Sequence, residues 1–172
     1  MNKHLPIRSI IDPRQRAIFA NICVRDINPL LTDREAMLSA IVIAAANAPI
    51  FAITEDEEPI SIAVCSIDMP GYARRVRYLW TDPDRRGNAT FAITKHLAAS
   101  ARHVGIAVRS ERERRAARRC GFRYSRSVGG GEWACATTRR AFNMKFAHPT
   151  VTRDTIEQAM RHLGMLAGVQ GA

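Results

Sequence analysis

The sequence predicts a single α/β domain in which a mixed sheet is covered by helices. The chain has 172 residues, 47% of them hydrophobic, which is enough for one domain with a substantial core. Short runs of strand character alternate with segments of helical periodicity. The order of these segments, β-α-α-β-β-β-α-β-α-β-β, is typical of a sheet with helices packed on it.

The first half of the chain predicts a strand, two helices and a hairpin. Pro13 suits the first position of a helix, and Thr32 or Asp33 can cap a second helix. An acidic turn separates two runs of strand character, which is a hairpin signal. The second run alternates with period two, which predicts a buried face. The elements are a strand over 5–11, helices over 14–25 and 33–47, and strands over 50–54 and 60–67.

The second half predicts four strands and two helices. Gly105 is expected to cap the C-terminus of the first helix, which would place His96 and His103 on one helix. Gly121 ends a second helix that is dense in arginine, and Gly129-Gly130-Gly131 forms a turn. The elements are a strand over 74–81, a helix over 90–104, a strand over 106–109, a helix over 111–120, and strands over 122–127 and 132–138.

Residues 1–147 are predicted to form the domain and residues 148–172 an additional helical tail. The tail has an amphipathic pattern over 152–166 and a glycine-rich end. No apolar run approaches the length needed to cross a bilayer, and the nearest, Ile41–Ala46, lies inside an amphipathic pattern.

Cysteine usage favours a reducing compartment. The cysteines show no C-x-x-C spacing and no histidine at metal spacing, so we expect free buried thiols and no metal site. The N-terminus lacks the apolar segment of a signal peptide, so a cytoplasmic protein is expected. The four cysteines are Cys23, Cys65, Cys120 and Cys135.

The formal net charge is +10, and 23 of the 26 basic residues are arginine. Such a charge favours acidic partners: nucleotide phosphates, nucleic acid or an acidic protein surface. A codon bias toward arginine would produce the same composition. The densest positive segment is the predicted helix over 111–120, where Arg112, Arg115 and Arg119 are candidates for contact with an acidic protein or nucleic acid. A solvated helix face with glutamate–arginine pairs at helical spacing is the alternative.

The segment from Val76 to Thr90 combines a strand, a basic turn and the start of a helix. Asp82-Pro83 ends the strand, and Gly87 follows in the turn. Unpaired N–H groups and the positive end of the helix dipole make such a turn suited to binding an anion.

This segment resembles the GNAT acyl-CoA N-acyltransferase superfamily. The family's fourth strand commonly ends in Leu-aromatic-x-x-Pro-x-x-Arg-Gly, and Leu79–Gly87 fits this pattern without a gap. A polar residue, a short helix and Gly-Phe often follow, as Ser110, residues 111–120 and Gly121-Phe122 do here. The resemblance covers about half of the chain and implies a mostly antiparallel mixed sheet, an acetyl-CoA cofactor and an amine substrate.

The resemblance also implies a set of cofactor-binding residues. The family's pyrophosphate loop, Gln/Arg-x-x-Gly-x-Gly/Ala, falls on Arg86–Phe91, where Ala89 replaces a glycine and Phe91 a small residue. We expect Phe91 to fit only if its ring turns into the core. The implied cofactor-binding residues are Trp80, Thr81, Arg86, Gly87, Asn88, Ala89, Thr90 and Ser110. The resemblance also places the arginine-dense helix near the adenosine 3′-phosphate of coenzyme A, so a phosphate-binding role there is open beside contact with nucleic acid or an acidic protein.

The family's usual catalytic side chains are replaced in this chain. Arg77 and Tyr78 occupy the positions of an acidic general base, and Ala117 that of a tyrosine acid. The remaining catalytic candidates are Ser110 and Asp68, and Asp68 equally suits a turn. Since positioning an amine near a thioester supplies much of the acceleration, these replacements leave two hypotheses open.

The first hypothesis is an N-acyltransferase, most simply an N-acetyltransferase, acting on an amine. The second is a catalytically inactive GNAT-fold module in a larger assembly, such as a phage virion or a nucleoprotein complex. Either function is compatible with a homo-oligomer.

Overall fold

The computed structural model describes residues 6–46, 48–66, 72–85 and 87–144, with Asp154, Glu157, Met160 and Arg161 of the tail. The strands are β1 (Ile7–Ser9), β2 (Ile50–Glu55), β3 (Glu58–Cys65), β4 (Ala73–Thr81), β5 (His103–Val108), β6 (Tyr124–Gly129) and β7 (Glu132–Ala136). The helices are α1 (Pro13–Ile27), α2 (Asp33–Ala45), α3 (Asn88–Ala99) and α4 (Glu111–Cys120), with 3₁₀ turns at Pro83–Arg85 and Arg139–Asn143.

The seven strands form one sheet in the order β1-β2-β3-β4-β5-β7-β6. Only β4 and β5 pair in parallel, while the other neighbours are antiparallel. The predicted class, a mixed and mostly antiparallel sheet flanked by helices, is therefore confirmed. No helix in the described part of the chain is long and apolar enough to span a membrane.

The helices cover both faces of the sheet and create two cores. On one face, Ile93 and Leu97 of α3 and Phe122 after α4 pack with residues of the sheet. On the other, Phe19 and Cys23 of α1 pack with residues of β2 and β3. As a result β3 is buried on both faces from Ile60 to Cys65, although its alternating sequence predicts only one.

Three helices begin with the side-chain caps that their sequences favour. The Asp12 carboxylate accepts a hydrogen bond of 2.8 Å from the Gln15 amide at the start of α1. Thr32 and Glu35 form a complete capping box on α2. The limits of α4 agree with the prediction: Ser110 caps its first turn, and Gly121, with φ of 114°, ends it in the left-handed conformation.

The prediction for the segment after α3 was wrong. The helix ends at Ala99, and Gly105 lies within β5, paired with both Arg75 of β4 and Ala136 of β7. His103 is therefore a strand residue and does not share a helix with His96. Pairing on both sides satisfies the backbone of this segment, and its β-branched residues suit a strand better than a helix.

The four predicted thiols are free and buried. In the tail, the four described residues are helical, and Arg161 lies 3.8 Å from Glu157. The rest of the predicted tail helix, together with Asp68 and Arg86, lies outside the described residues.

Candidate functional site

The sheet opens between its two parallel strands. β4 pairs with β5 only from Ala73 to Val76, opposite His103 to Ile106. Beyond these residues β4 continues to Thr81 in pairing with β3 alone, while β5 stays paired with β7. The two strands therefore diverge toward their carboxyl ends, which is the edge where ligands bind in sheets with parallel pairs.

A β-bulge lies where this divergence begins. Val64 pairs with Tyr78 and Cys65 with Val76, so Arg77 is an extra residue on β4. A bulge bends its strand and increases the local twist, which directs the end of β4 away from β5. The sequence offers no signal for the bulge, because Arg77 and Tyr78 fit a regular strand equally well.

The N-terminus of α3 lies at this edge. Its cap is Gly87, with φ of 121° and ψ of −105°, and no side chain in the described part of the chain caps the helix. Gly87 and Asn88 are exposed. The first turn of α3 therefore presents N–H groups, together with the positive end of the helix dipole, to whatever occupies this edge.

A chain of hydroxyl groups ties α3 to the strands. The Thr90 hydroxyl donates to the Thr81 hydroxyl at 3.0 Å, and the Thr81 hydroxyl lies 2.9 Å from that of Ser61. Ser61 is buried and donates to the Trp80 carbonyl at 3.0 Å. Thr81 and Thr90 thus fix the start of α3 beside the end of β4. Ser61 was not among the predicted residues, because its role depends on cross-strand register.

The burial of the Ala89 and Phe91 side chains could not be predicted from the sequence alone. The Ala89 side chain is only 2% exposed and packs in the core, so its methyl group does not fill the turn. Phe91 is 44% exposed, so its ring is not turned into the core, which was the condition for a fit between this residue and the cofactor loop. The altered loop therefore remains open at its backbone, with Phe91 at the surface nearby.

Ser110 begins α4 at the end of β5. Its hydroxyl accepts a hydrogen bond from the Glu113 amide at 3.2 Å, and the Glu113 carboxylate accepts one from the Arg109 amide at 2.6 Å. These bonds satisfy the first turn of α4, in contrast to that of α3. Ser110 therefore has a structural role in this arrangement, whatever further role it has.

The carboxylates described near the opening are engaged in ion pairs. Glu111 contacts Arg114 at 2.6 Å and Arg115 at 3.1 Å, and its hydrogen bonds with Arg114 lower its pKa to about 2. Such a carboxylate is a weak proton acceptor at neutral pH. Asp82 accepts from the Asp84 amide and lies 3.8 Å from Arg85.

Two of the positions that carry the catalytic acid and base in the resembled family are occupied here by side chains that pack in or against the core. Ala117 is 3% exposed and lies in the core. Tyr78 and Trp80 pack against the core on the α1 side of the sheet, whereas Leu79 packs on the α3 side. The Trp80 ring therefore points away from α3, while its backbone stays on the diverging part of β4.

The arginines of α4 differ in their surroundings. Arg114 is held between Glu111 and the Trp133 ring, whose centroid is 4.8 Å away, and it donates to the Ser125 hydroxyl at 3.2 Å. Arg112, Arg115 and Arg119 instead line a shallow depression of about 350 Å³. The structure thus brings together the three arginines that the sequence predicts as a contact surface.

Three solved structures illustrate what this chain is similar to. An acetyltransferase from Thermus thermophilus matches with a TM-score of 0.55 at 15% identity, over 78% of this chain and 98% of that one. A GNAT-family acetyltransferase from Streptococcus pneumoniae matches with a TM-score of 0.50 at 12% identity, over 76% and 96%. A Salmonella typhimurium protein, in a structure with its cofactor acetyl-CoA, matches with a TM-score of 0.51 at 10% identity, over 78% and 94%.

No protein-family model matches the sequence, and no curated protein matches it either. The structural likeness covers about three quarters of this chain and nearly all of each neighbour. The likeness is one of fold, which within the described residues is a mostly antiparallel seven-stranded sheet with four helices. The chain therefore has the fold of the GNAT acetyltransferases.

Proposed function

We propose that this protein binds an acyl-CoA at the opening between β4 and β5 and transfers the acyl group to an amine. The observation that supports this function is the uncapped N-terminus of α3 beside the diverging end of β4. The resemblance of Leu79–Gly87 to the family pattern points to the same place. Acetyl-CoA is the simplest acyl donor for this site.

The turn before α3 is suited to a pyrophosphate group. Gly87 has a backbone conformation that other residues adopt only under strain, and a Cβ added there would meet nothing within 4 Å. The Ala89 methyl group points into the core. The backbone of Gly87, Asn88, Ala89 and Thr90 would hold the phosphates, with Arg86 as a candidate for the same group.

Acyl-CoA would supply an activated thioester for attack by an amine. The chain contributes binding and orientation: β4 beyond Val76 offers a strand edge that faces away from β3, and the hydroxyl chain fixes that edge relative to α3. Orientation alone accounts for a large share of the acceleration of such transfers. Among the described residues, the Glu111 carboxylate is held by two arginines, so the proposed mechanism assigns no side-chain base and lets the amine react in its unprotonated form.

This mechanism predicts a particular pH dependence. Without a protein base, the rate should rise about tenfold per pH unit until the amine's own pKa is reached, because only the neutral amine attacks. Free thiol release from acetyl-CoA with a panel of amines measures this dependence. A bell-shaped profile whose limits do not follow the acceptor's pKa would contradict it.

Binding is tested separately by thermal unfolding in the presence of acetyl-CoA. At a ligand concentration 100 times Kd, one site stabilises the folded state by about 2.7 kcal/mol, which raises Tm by several degrees. No change in Tm at millimolar acetyl-CoA would contradict the proposal.

A second candidate is an inactive GNAT-fold interaction module. Its support is the replacement of the tyrosine acid by Ala117, which lies in the core, and the pairing of Glu111 with two arginines. Tight acetyl-CoA binding without turnover on any amine would favour this candidate.

A further inference from the structure

The outer face of α4 carries the densest positive charge of the chain, beyond the turn before α3 proposed to hold the pyrophosphate. Residues 109–123 contain seven arginines and two glutamates. Both carboxylates are engaged: that of Glu111 with Arg114 and Arg115, and that of Glu113 with the backbone amide of Arg109. Acidic side chains from this segment therefore leave most of its charge unbalanced.

Three of these arginines form one continuous face. Arg112, Arg115 and Arg119 follow one another at spacings of three and four residues, which places them on one side of a helix. All three are exposed, and the Arg115 side chain is 73% accessible. In the described part of the chain, Arg112 and Arg119 form no ion pair. Since α4 rises about 1.5 Å per residue, the three guanidinium groups are distributed over roughly 10 Å.

We propose that this arginine face binds the phosphate backbone of nucleic acid without sequence preference. Duplex DNA carries one negative charge per about 1.7 Å of helix axis, so a face of this length lies close to several phosphates. Guanidinium groups bind phosphate oxygens in a bidentate manner. The depression that they line is open and shallow, which suits an extended chain of phosphates.

Among the described residues, no aromatic side chain lines the depression, and three rings in the C-terminal part of the domain are covered by other arginines, which favours backbone contact over base stacking. Guanidinium groups lie over one face of Trp133, Phe142 and Tyr124, at 4.8, 5.0 and 5.5 Å from the ring centroids. Rings that are covered in this way are less available for stacking with bases, which single-strand readers require. The expected contacts are therefore electrostatic and sensitive to salt.

The composition of the face argues against an acidic protein as the partner. The centre of a stable protein interface is usually apolar and aromatic. Ala116 is the apolar residue on this side of α4, and none of the large exposed apolar residues in the described part of the chain belongs to the helix. Nucleic acid requires no apolar centre, because counterion release drives its binding.

The test is fluorescence anisotropy with the full chain and two labelled DNA duplexes of about 20 base pairs whose sequences are unrelated. Binding is measured between about 50 and 200 mM NaCl, because phosphate contacts make affinity fall steeply over this range. The triple variant Arg112→Gln, Arg115→Gln, Arg119→Gln should bind at least tenfold more weakly at the lower salt. Its salt dependence, as log K against log[salt], should be shallower by about 1.8 to 2.7, since each phosphate contact contributes about 0.9 and Arg115 is already paired with Glu111. The single variant Arg119→Gln, which changes the helix least, should be shallower by about 0.9.

A matched control removes the same charge elsewhere. Arg8, Arg14 and Arg34 are exposed and lie on β1, α1 and α2, away from α4. The triple variant Arg8→Gln, Arg14→Gln, Arg34→Gln should retain the parent's slope of log K against log[salt]. The parent should bind both duplexes with equal affinity. The proposal is overturned if the parent does not bind duplex, if both triple variants lose affinity equally, or if poly-glutamate of matched length binds as tightly as DNA.

Discussion

The N-termini of α2 and α3 differ in their capping: α2 is closed by side chains, whereas α3 has no side-chain cap among the described residues. At α2, Thr32 and Glu35 close the first turn with reciprocal hydrogen bonds. At α3, Gly87 offers no side chain, and the described residues supply no cap. The other two helices are closed by Asp12 and Ser110. The start of α2, which supports the fold, is thus capped by its own sequence, whereas the start of α3 at the end of β4 is left exposed.

Leaving α3 uncapped has an energetic cost that other contacts offset. With glycine in place of a capping side chain, the cost is about a few tenths of a kcal/mol. At α3 the Thr90–Thr81 hydrogen bond and the burial of Ala89 hold the helix in place. The exposed backbone is therefore held rigidly, which favours binding because little ordering is needed when a ligand arrives.

The largest predicted effect is at Gly87. Because its φ of 121° lies in a region that L-residues rarely adopt, Gly87→Ala should lower the free energy of unfolding by about 1–3 kcal/mol and weaken acetyl-CoA binding at least tenfold. Chemical denaturation and titration calorimetry measure the two effects. Gly130→Ala is the control: this glycine also has positive φ and open space around it, but it lies in the β6–β7 turn. Equal acetyl-CoA affinities for the two variants would remove the special role of Gly87.

The next effect concerns the capped helix. Thr32→Ala should lower the free energy of unfolding by about 1 kcal/mol, since the capping box is lost, and should leave acetyl-CoA affinity unchanged. Denaturation and ligand titration on the same sample check both statements. A loss of affinity comparable with that of Gly87→Ala would show that α2 and α3 are not functionally distinct.

A smaller effect is expected where a negative charge is added to α3. Asn88 is the exposed first residue of the helix, so Asn88→Asp should stabilise the fold by about 0.3–1 kcal/mol through the helix dipole. Thermal unfolding without ligand measures it, with Asn143→Asp as a control for the added charge alone. Destabilisation by Asn88→Asp would mean that the N-terminus of α3 is already satisfied.

The smallest effect is the acid sensitivity of α4. The pKa of Glu111 is lowered from 4.5 to about 2 by Arg114 and Arg115, so its contribution to stability is complete above about pH 4.5 and is lost as the pH falls toward 2. The difference in stability between the parent and Glu111→Gln should therefore be largest near neutral pH and disappear by about pH 2. Glu132→Gln, at an exposed carboxylate of β7, is the control. A difference that persists unchanged at the acid end of this range would contradict the assignment.

Local capping and terminating residues explain which elements could be predicted from the sequence. The limits of α4 were predictable because Ser110 and Gly121 mark both ends by local chemistry. The end of α3 was not, since Gly105 resembles a helix C-cap and only pairing with β4 and β7 reveals its strand character. Local signals fail where a segment's backbone is satisfied by distant partners.

The same distinction applies to the candidate site. The resemblance of Leu79–Gly87 predicts a site at the end of β4, where the start of α3 is exposed. The bulge at Arg77 and the hydroxyl contact with Ser61 depend on register between strands, which the sequence does not specify. The direction of the Ala89 methyl group depends on the rotational position of α3, which is fixed by packing.

The central claim is that the open N-terminus of α3 binds the phosphates of acyl-CoA. Titration calorimetry of acetyl-CoA into the parent and Asn88→Asp tests it most directly, because the added carboxylate repels phosphate at the site while it stabilises the helix. We predict saturable binding to the parent and at least tenfold weaker binding to Asn88→Asp, with Asn143→Asp equal to the parent. Equal affinities for the parent and Asn88→Asp would contradict the claim.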